Sequence, residues 1–145
     1  MADILVVDGD ARCRISIAQT LTDAGHQVHQ AADGAEGLTV CRRLRPALVI
    51  TAIVMPEKDG IEIIRELSRE MPDLPILAIS GAVHASLYLR IATSLGAGAS
   101  LRKPFGDEEL LLAAAALLDG GGNRRHNDRS RFHLRRGGYR TAGQP

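Results

Sequence analysis

Aromatic residues are scarce in this 145-residue chain, which has two Phe, two Tyr and no Trp. Since 45% of its residues are apolar all the same, any core has to be built from Ile, Leu, Val and Ala. Cysteine is scarce too. Cys13 and Cys41 stand far apart in helix-like stretches, which excludes a disulfide scaffold and a paired-cysteine metal or redox motif, and points to a reducing, cytoplasmic setting. No apolar run approaches a membrane span. The start, Met1-Ala2-Asp3 before Ile4-Leu5-Val6-Val7, lacks the basic region and the apolar length of a signal peptide. A formal net charge of +1 names no partner by itself, but the charge is unevenly spread. Residues 1–118 carry 11 basic and 15 acidic side chains, whereas 119–145 carry seven Arg and two Asp.

What is present is an alternation. Ile4–Val7 is a continuous apolar run, three of its four residues β-branched, as expected of a strand buried on both faces. A helix is predicted from Ala11 to about Ala24, with Ile15, Ala18 and Leu21 turned inward and Gly25 as its stop. Val28 falls in a short, more polar strand suited to a sheet edge. After the Asp33-Gly34 turn, Ala35, Leu38, Cys41 and Leu44 form the stripe of a second helix, closed by Pro46. Leu48–Ala52 is a third strand. Asp59-Gly60 starts a third helix, marked by Ile61, Ile64, Leu67 and Met71. Ile76–Ile79 is a fourth strand, landing on Ser80-Gly81. Tyr88, Ile91, Ala92 and Leu95 follow helical spacing. A short strand from Ala99 to Arg102 and a last helix, capped at Gly106 or Asp107 and reaching about Leu118, complete the set.

Five strands alternating with five helices at this spacing predict an open parallel sheet covered on both faces. Such sheets bind ligands beyond the carboxyl ends of their strands. The residues at those ends are Asp8, Ala52, Ser80 and Lys103, which together form the candidate site. Residues 1–118 thus read as one domain. The segment 119–145 opens on Gly120-Gly121-Gly122 and has few aliphatic residues, a composition that predicts a disordered basic tail.

Four motifs in this order carry a resemblance over residues 3–118. They are Ile4-Leu5-Val6-Val7-Asp8, Met55-Pro56-Glu57-Lys58-Asp59-Gly60, Ile79-Ser80-Gly81, and Gly96-Ala97 followed by Lys103-Pro104-Phe105. The chain resembles the receiver domains of two-component response regulators. The resemblance implies a flavodoxin-like fold with strand order 2-1-3-4-5 and a place in phosphorelay signalling. In that family two acidic residues after the first strand hold Mg²⁺ through oxygen ligands, and an aspartate ending the third strand accepts a phosphoryl group. A hydroxyl and a lysine then hold the phosphoryl oxygens, and an aromatic residue in the fifth strand acts as a switch.

Taken residue by residue, the match is incomplete. Asp8 matches the first acidic position, but Gly9 stands at the second. Ala52 occupies the phosphoacceptor position, and a methyl group cannot attack phosphorus. Thr51 is no substitute, because strand alternation sends its side chain to the other face. Ser80 and Lys103 match the hydroxyl and lysine positions, and Ser100 replaces the switch aromatic. The Val54 carbonyl and Asp8 are the metal ligands left, so no cofactor is expected and Mg²⁺ binding would be weak at best. With Ala52 in place, Asp8 is expected to pair with Lys103, Ser80 to cap the next loop, and Gly60 to fit a close helix start. Pro104 reads as a turn residue orienting Lys103.

The last helix reads Leu-Leu-Leu-Ala-Ala-Ala-Ala-Leu-Leu from Leu110 to Leu118. Leu110, Ala113, Ala114 and Leu117 are expected in the core, leaving Leu111, Leu112, Ala115 and Leu118 on or near the opposite side, with Leu111 and Ala115 as the expected partner contact. The reading is a stand-alone, non-enzymatic receiver-like module that acts through protein contacts. Its expected partners are a histidine kinase, a phosphotransfer or output protein, or a second copy, met through the helix 4–strand 5–helix 5 face. The alternative is a phosphorylatable regulator whose acceptor was replaced by Ala52. Nucleic-acid binding through the tail is the outside reading.

Overall fold

A computed structural model describes residues 1–55, 59–81 and 84–120. Residues 121–145 of the expected basic tail and the centre of the Met55–Gly60 loop lie outside the described residues. Ten elements alternate along the chain: β1 (Asp3–Val7), α1 (Ala11–Asp23), β2 (Gln27–Ala31), α2 (Gly34–Leu44), β3 (Leu48–Ala52), α3 (Gly60–Glu70), β4 (Ile76–Ser80), α4 (Ala85–Leu95), β5 (Ala99–Arg102) and α5 (Asp107–Asp119). The strands form one parallel sheet in the order β2-β1-β3-β4-β5. Helices α1 and α5 pack together on one face, and α2, α3 and α4 follow one another on the other. β3 and β4 are buried along their whole length. That is why they read as unbroken apolar runs.

Each helix start lies at the carboxyl edge of the sheet, and three of them are capped by aspartate. The side chains of Asp10, Asp33 and Asp59 accept hydrogen bonds from the backbone N–H groups of Cys13, Glu36 and Glu62, satisfying donors that a helix start leaves open. Glu109 does the same job in α5 by accepting from the Gly106 N–H. Away from that edge, Arg42 of α2 bonds Glu66 and Glu70 of α3 at 3.1 and 2.7 Å.

The inward faces differ in detail from those predicted. On α1 the buried residues are Ile17, Ala18 and Leu21, while Ile15 is 55% exposed. The stripe runs through position 14, where an arginine hid it from a search for apolar residues. On α2, Gly34 and Gly37 are buried with Leu38 and Cys41, and Ala35 is exposed. A Cβ at Gly37 would sit 2.9 Å from Val7 Cγ2, so this face is made from the absence of side chains. On α3, Ile63 joins Ile64 and Leu67 in the core and Ile61 is only half-buried. On α4, Ala85, Leu89 and Ala92 are buried and Ile91 is exposed. Burial pushes the Cys41 thiol up to about 11, which makes it an inert core residue rather than a nucleophile.

Gly60 starts α3 hard against the end of β3. Its N–H donates to the Ile53 carbonyl at 2.7 Å, and an added Cβ would overlap the Ala52 carbonyl oxygen and come within 2.7 Å of Ile53 Cα. Backbone atoms cannot step aside cheaply. Gly60→Ala is therefore expected to cost roughly 1–3 kcal/mol, read as a thermal unfolding midpoint several degrees lower; an unchanged midpoint would mean that the close approach is not rigid.

Candidate functional site

Asp8 is the first residue beyond β1, and its side chain is buried at the sheet's carboxyl edge, the residue being 2% exposed. An ionised carboxylate in such a place needs compensation, and it is fully engaged. Its Oδ2 accepts from Lys103 Nζ at 2.9 Å, and its Oδ1 accepts from the Asp10 N–H at 3.0 Å. The Asp8 carbonyl accepts from Arg14 Nη1 at 2.9 Å, and Arg14 Nε donates to Gln30 on β2. Arg14 thus fixes the backbone that carries Asp8.

Lys103 comes from the far side. In the strand order, β1 and β5 are separated by β3 and β4, three strand spacings or roughly 14 Å. Only a long side chain lying across the strand ends can meet Asp8. Two local features direct it. The Lys103 N–H donates to the Ser80 carbonyl at 2.9 Å, and Gly81 leaves room for the stem; the Lys103–Pro104 peptide that follows is cis. A Cβ at Gly81 would stand 2.8 Å from Lys103 Cβ and 3.3 Å from its Cδ. Burial works against the ammonium, but the hydrogen bond and charge of Asp8, with Cys13 beside it, outweigh this and hold the Lys103 pKa above its ordinary value.

Ala52 ends β3 and is 3% exposed. Val7 pairs with Thr51, so the register carries Ala52 beside Asp8. Ser80, at the end of β4, is buried. Ser100 lies in β5 opposite Ala78 and is partly exposed. Thr51 is fully buried, and its hydroxyl donates to the Ala52 carbonyl at 3.0 Å. The fold thus brings Asp8, Ala52, Ser80 and Lys103 to one edge and leaves Ser100 one strand interior away from it. Val54 is exposed on the loop after β3.

Cys13, Arg14 and Gly81 belong to the same locale, and the sequence reading places none of them in the site. Cys13 lies in the first turn of α1, near both charges. Burial raises its thiol pKa, Lys103 opposes the rise, and Asp8 adds to it. The spacing of five residues between Asp8 and Cys13 could have placed the thiol there, given a helix that starts at Ala11.

Among the described residues, the donor set does not fit a divalent cation. Mg²⁺ prefers six oxygens in a regular octahedron. Here both Asp8 oxygens are engaged, the Asp10 carboxylate caps α1, and Gly9 and Ala52 offer no side-chain oxygen. Among the described residues, no group of three His, Cys, Asp or Glu side chains could hold a metal ion. No helix among them is long and apolar enough to cross a membrane.

Comparison with known proteins agrees with this architecture. The family model described as "Response regulator receiver domain" matches residues 4–115. Response regulator MprA of Mycobacterium sp. (strain KMS) is 42% identical over 109 residues, which cover 74% of this chain and 46% of that protein. The MprA of Mycobacterium leprae is 41% identical over the same length. The chain therefore spans less than half the length of these curated relatives. Among solved structures, the receiver domain of NtrX from Brucella abortus matches with a TM-score of 0.76 at 32% identity, covering 81% of this chain and 98% of that one. A CheY-like receiver domain protein from Methanospirillum hungatei JF-1 gives 0.78 at 26% identity, covering 83% and 96%. With the fold and these likenesses in agreement, the chain belongs to the receiver domain family of two-component response regulators.

Proposed function

We propose that this receiver is a signalling module that does not carry phosphate on an aspartate and acts by presenting a fixed surface to a protein partner. The observation that carries this reading is the Lys103–Asp8 ion pair spanning the strand ends above Ala52. Phosphoryl transfer to a receiver needs a carboxylate at that strand end to attack phosphorus, a metal to neutralise the incoming charge, and a lysine free to take up the new oxygens. Here the first is a methyl group, the second has no adequate ligands among the described residues, and the third is already paired. The site keeps a frame in which Ser80 and Lys103 stand in place. That retained frame favours one alternative, a phosphorylatable regulator in which Ala52 replaced an acceptor aspartate. Gly9 and Ser100 speak against it, since a single replacement at residue 52 leaves both unexplained. The free thiols of Cys13 and Cys41 suit a reducing, cytoplasmic compartment.

The partner is a histidine kinase, a phosphotransfer or output protein, or a second copy of the chain, and the surface is the one formed by α4, β5 and α5. On α5 the outward apolar residue is Leu112, 66% exposed, with Ala115 and Ala116 exposed beside it. Leu111, expected on this face, is half-buried against the core. Its neighbour takes the outward place because Leu110, Ala114 and Leu117 set the inward direction.

Two outcomes follow. Incubated with Mg²⁺ and a small phosphodonor such as acetyl phosphate, the native chain should gain no phosphoryl mass by intact mass spectrometry. Stable uptake at an aspartate would sink the proposal. The Ala52→Asp chain reports on the alternative, since uptake there and not in the native chain means that a site survives around the missing acid. Leu112→Glu should leave folding stability within about 0.5 kcal/mol, as for an ordinary surface change. The same substitution should abolish any self-association seen by light scattering. A native mass of one chain at every concentration would remove the second copy and leave a different protein as the partner.

A further inference from the structure

The misfit between this site and the metal its family uses has a positive side. A carboxylate as buried as Asp8 must be neutralised, and in a receiver that holds Mg²⁺ the cation does part of that work. Among the described residues a hard divalent ion would find one carboxylate whose two oxygens are taken, one helix-capping carboxylate and no third acid. An ammonium asks much less. It needs a few acceptors at hydrogen-bond distance, and it arrives covalently attached.

We propose that the Lys103 ammonium is the resident cation of this site: it neutralises Asp8 permanently, keeps divalent metal off that carboxylate, and makes the folded state indifferent to Mg²⁺. The parts are built for this role. Gly81 clears the path of the stem, and the hydrogen bond from the Lys103 N–H to the Ser80 carbonyl anchors its base. The Asp10 N–H takes the second Asp8 oxygen, so the carboxylate has no oxygen left without a donor. The pair also ties the end of β5 to the end of β1, across the strands between them. A metal would tie together only the strand ends that supply its ligands.

Thermal unfolding of the full chain in EDTA and in MgCl2 tests this, with Lys103→Met, Asp8→Asn and the double variant alongside. The native midpoint should not move between EDTA and ~10 mM MgCl2, because an ion that does not bind the folded state gives no linkage stabilisation. Lys103→Met leaves a buried charge unpaired and should lower the midpoint by roughly 10 °C or more, with part of the loss recovered in MgCl2. The double variant should lie above Lys103→Met and show no response to Mg²⁺. A saturable rise of the native midpoint with Mg²⁺ would overturn the proposal, as would a Lys103→Met chain as stable as the native one. If Lys103→Met does not fold, the native titration and the Asp8→Asn and double variants still decide. Asp8→Asn should be less stable than the double variant, and the reverse order contradicts coupling. The inference rests on the functional reading but fails separately from it. Phosphate uptake by the native chain overturns the function, whereas a Mg²⁺ response without uptake overturns only this inference.

Discussion

One ion pair organises the carboxyl edge of this sheet. Lys103 lies across two strand ends to reach Asp8, and the neighbouring features of the edge serve that contact. Buried pairs are not generally a source of net stability, since desolvation offsets most of the Coulomb attraction. Their effect is on specificity: once one partner is buried, the other must be in place. Asp8 fixes where the Lys103 end of β5 can lie, and Arg14 and the Asp10 N–H fix where Asp8 can lie.

That constraint spreads through the helix starts. Asp10 caps α1 beside the pair, and Gly60 brings the first turn of α3 onto the Ala52 carbonyl. The chain at this edge is therefore shaped from several sides by backbone and capping contacts that need no phosphate and no metal. The loop that follows β3 is thereby fixed at its Gly60 end. A surface of constant shape is what a binding module requires, whereas a switch requires two shapes.

The arrangement of strands and helices was legible because the fold is regular. Strands buried on both faces announce themselves as β-branched runs such as Leu48–Ile50, and Asp-Gly pairs marked two helix starts. The site positions were legible for the same reason, since they sit where those runs end. Finer features were hidden by chemistry that composition does not display. Arg14 occupies the sheet-facing stripe of α1 and diverted attention to Ile15. Gly34 and Gly37 form the inner face of α2 by having no side chains. Gly81 and Cys13 matter only because a lysine from the other side of the sheet passes over one and stops near the other. Contacts between residues 8, 13, 81 and 103 are long-range in sequence, and no local pattern encodes them.

The proposal at the centre is that this strand end, with Ala52 in place of a carboxylate and Lys103 paired to Asp8, takes up neither Mg²⁺ nor a phosphoryl group. The most direct measurement is the ¹H–¹⁵N spectrum of the native chain while Mg²⁺ and beryllium fluoride, a phosphoryl mimic, are added together. The amides of Asp8, Ala52, Ser80 and Lys103 are predicted to hold their positions throughout. Saturable shifts confined to those four residues would show an open, working site and contradict the account.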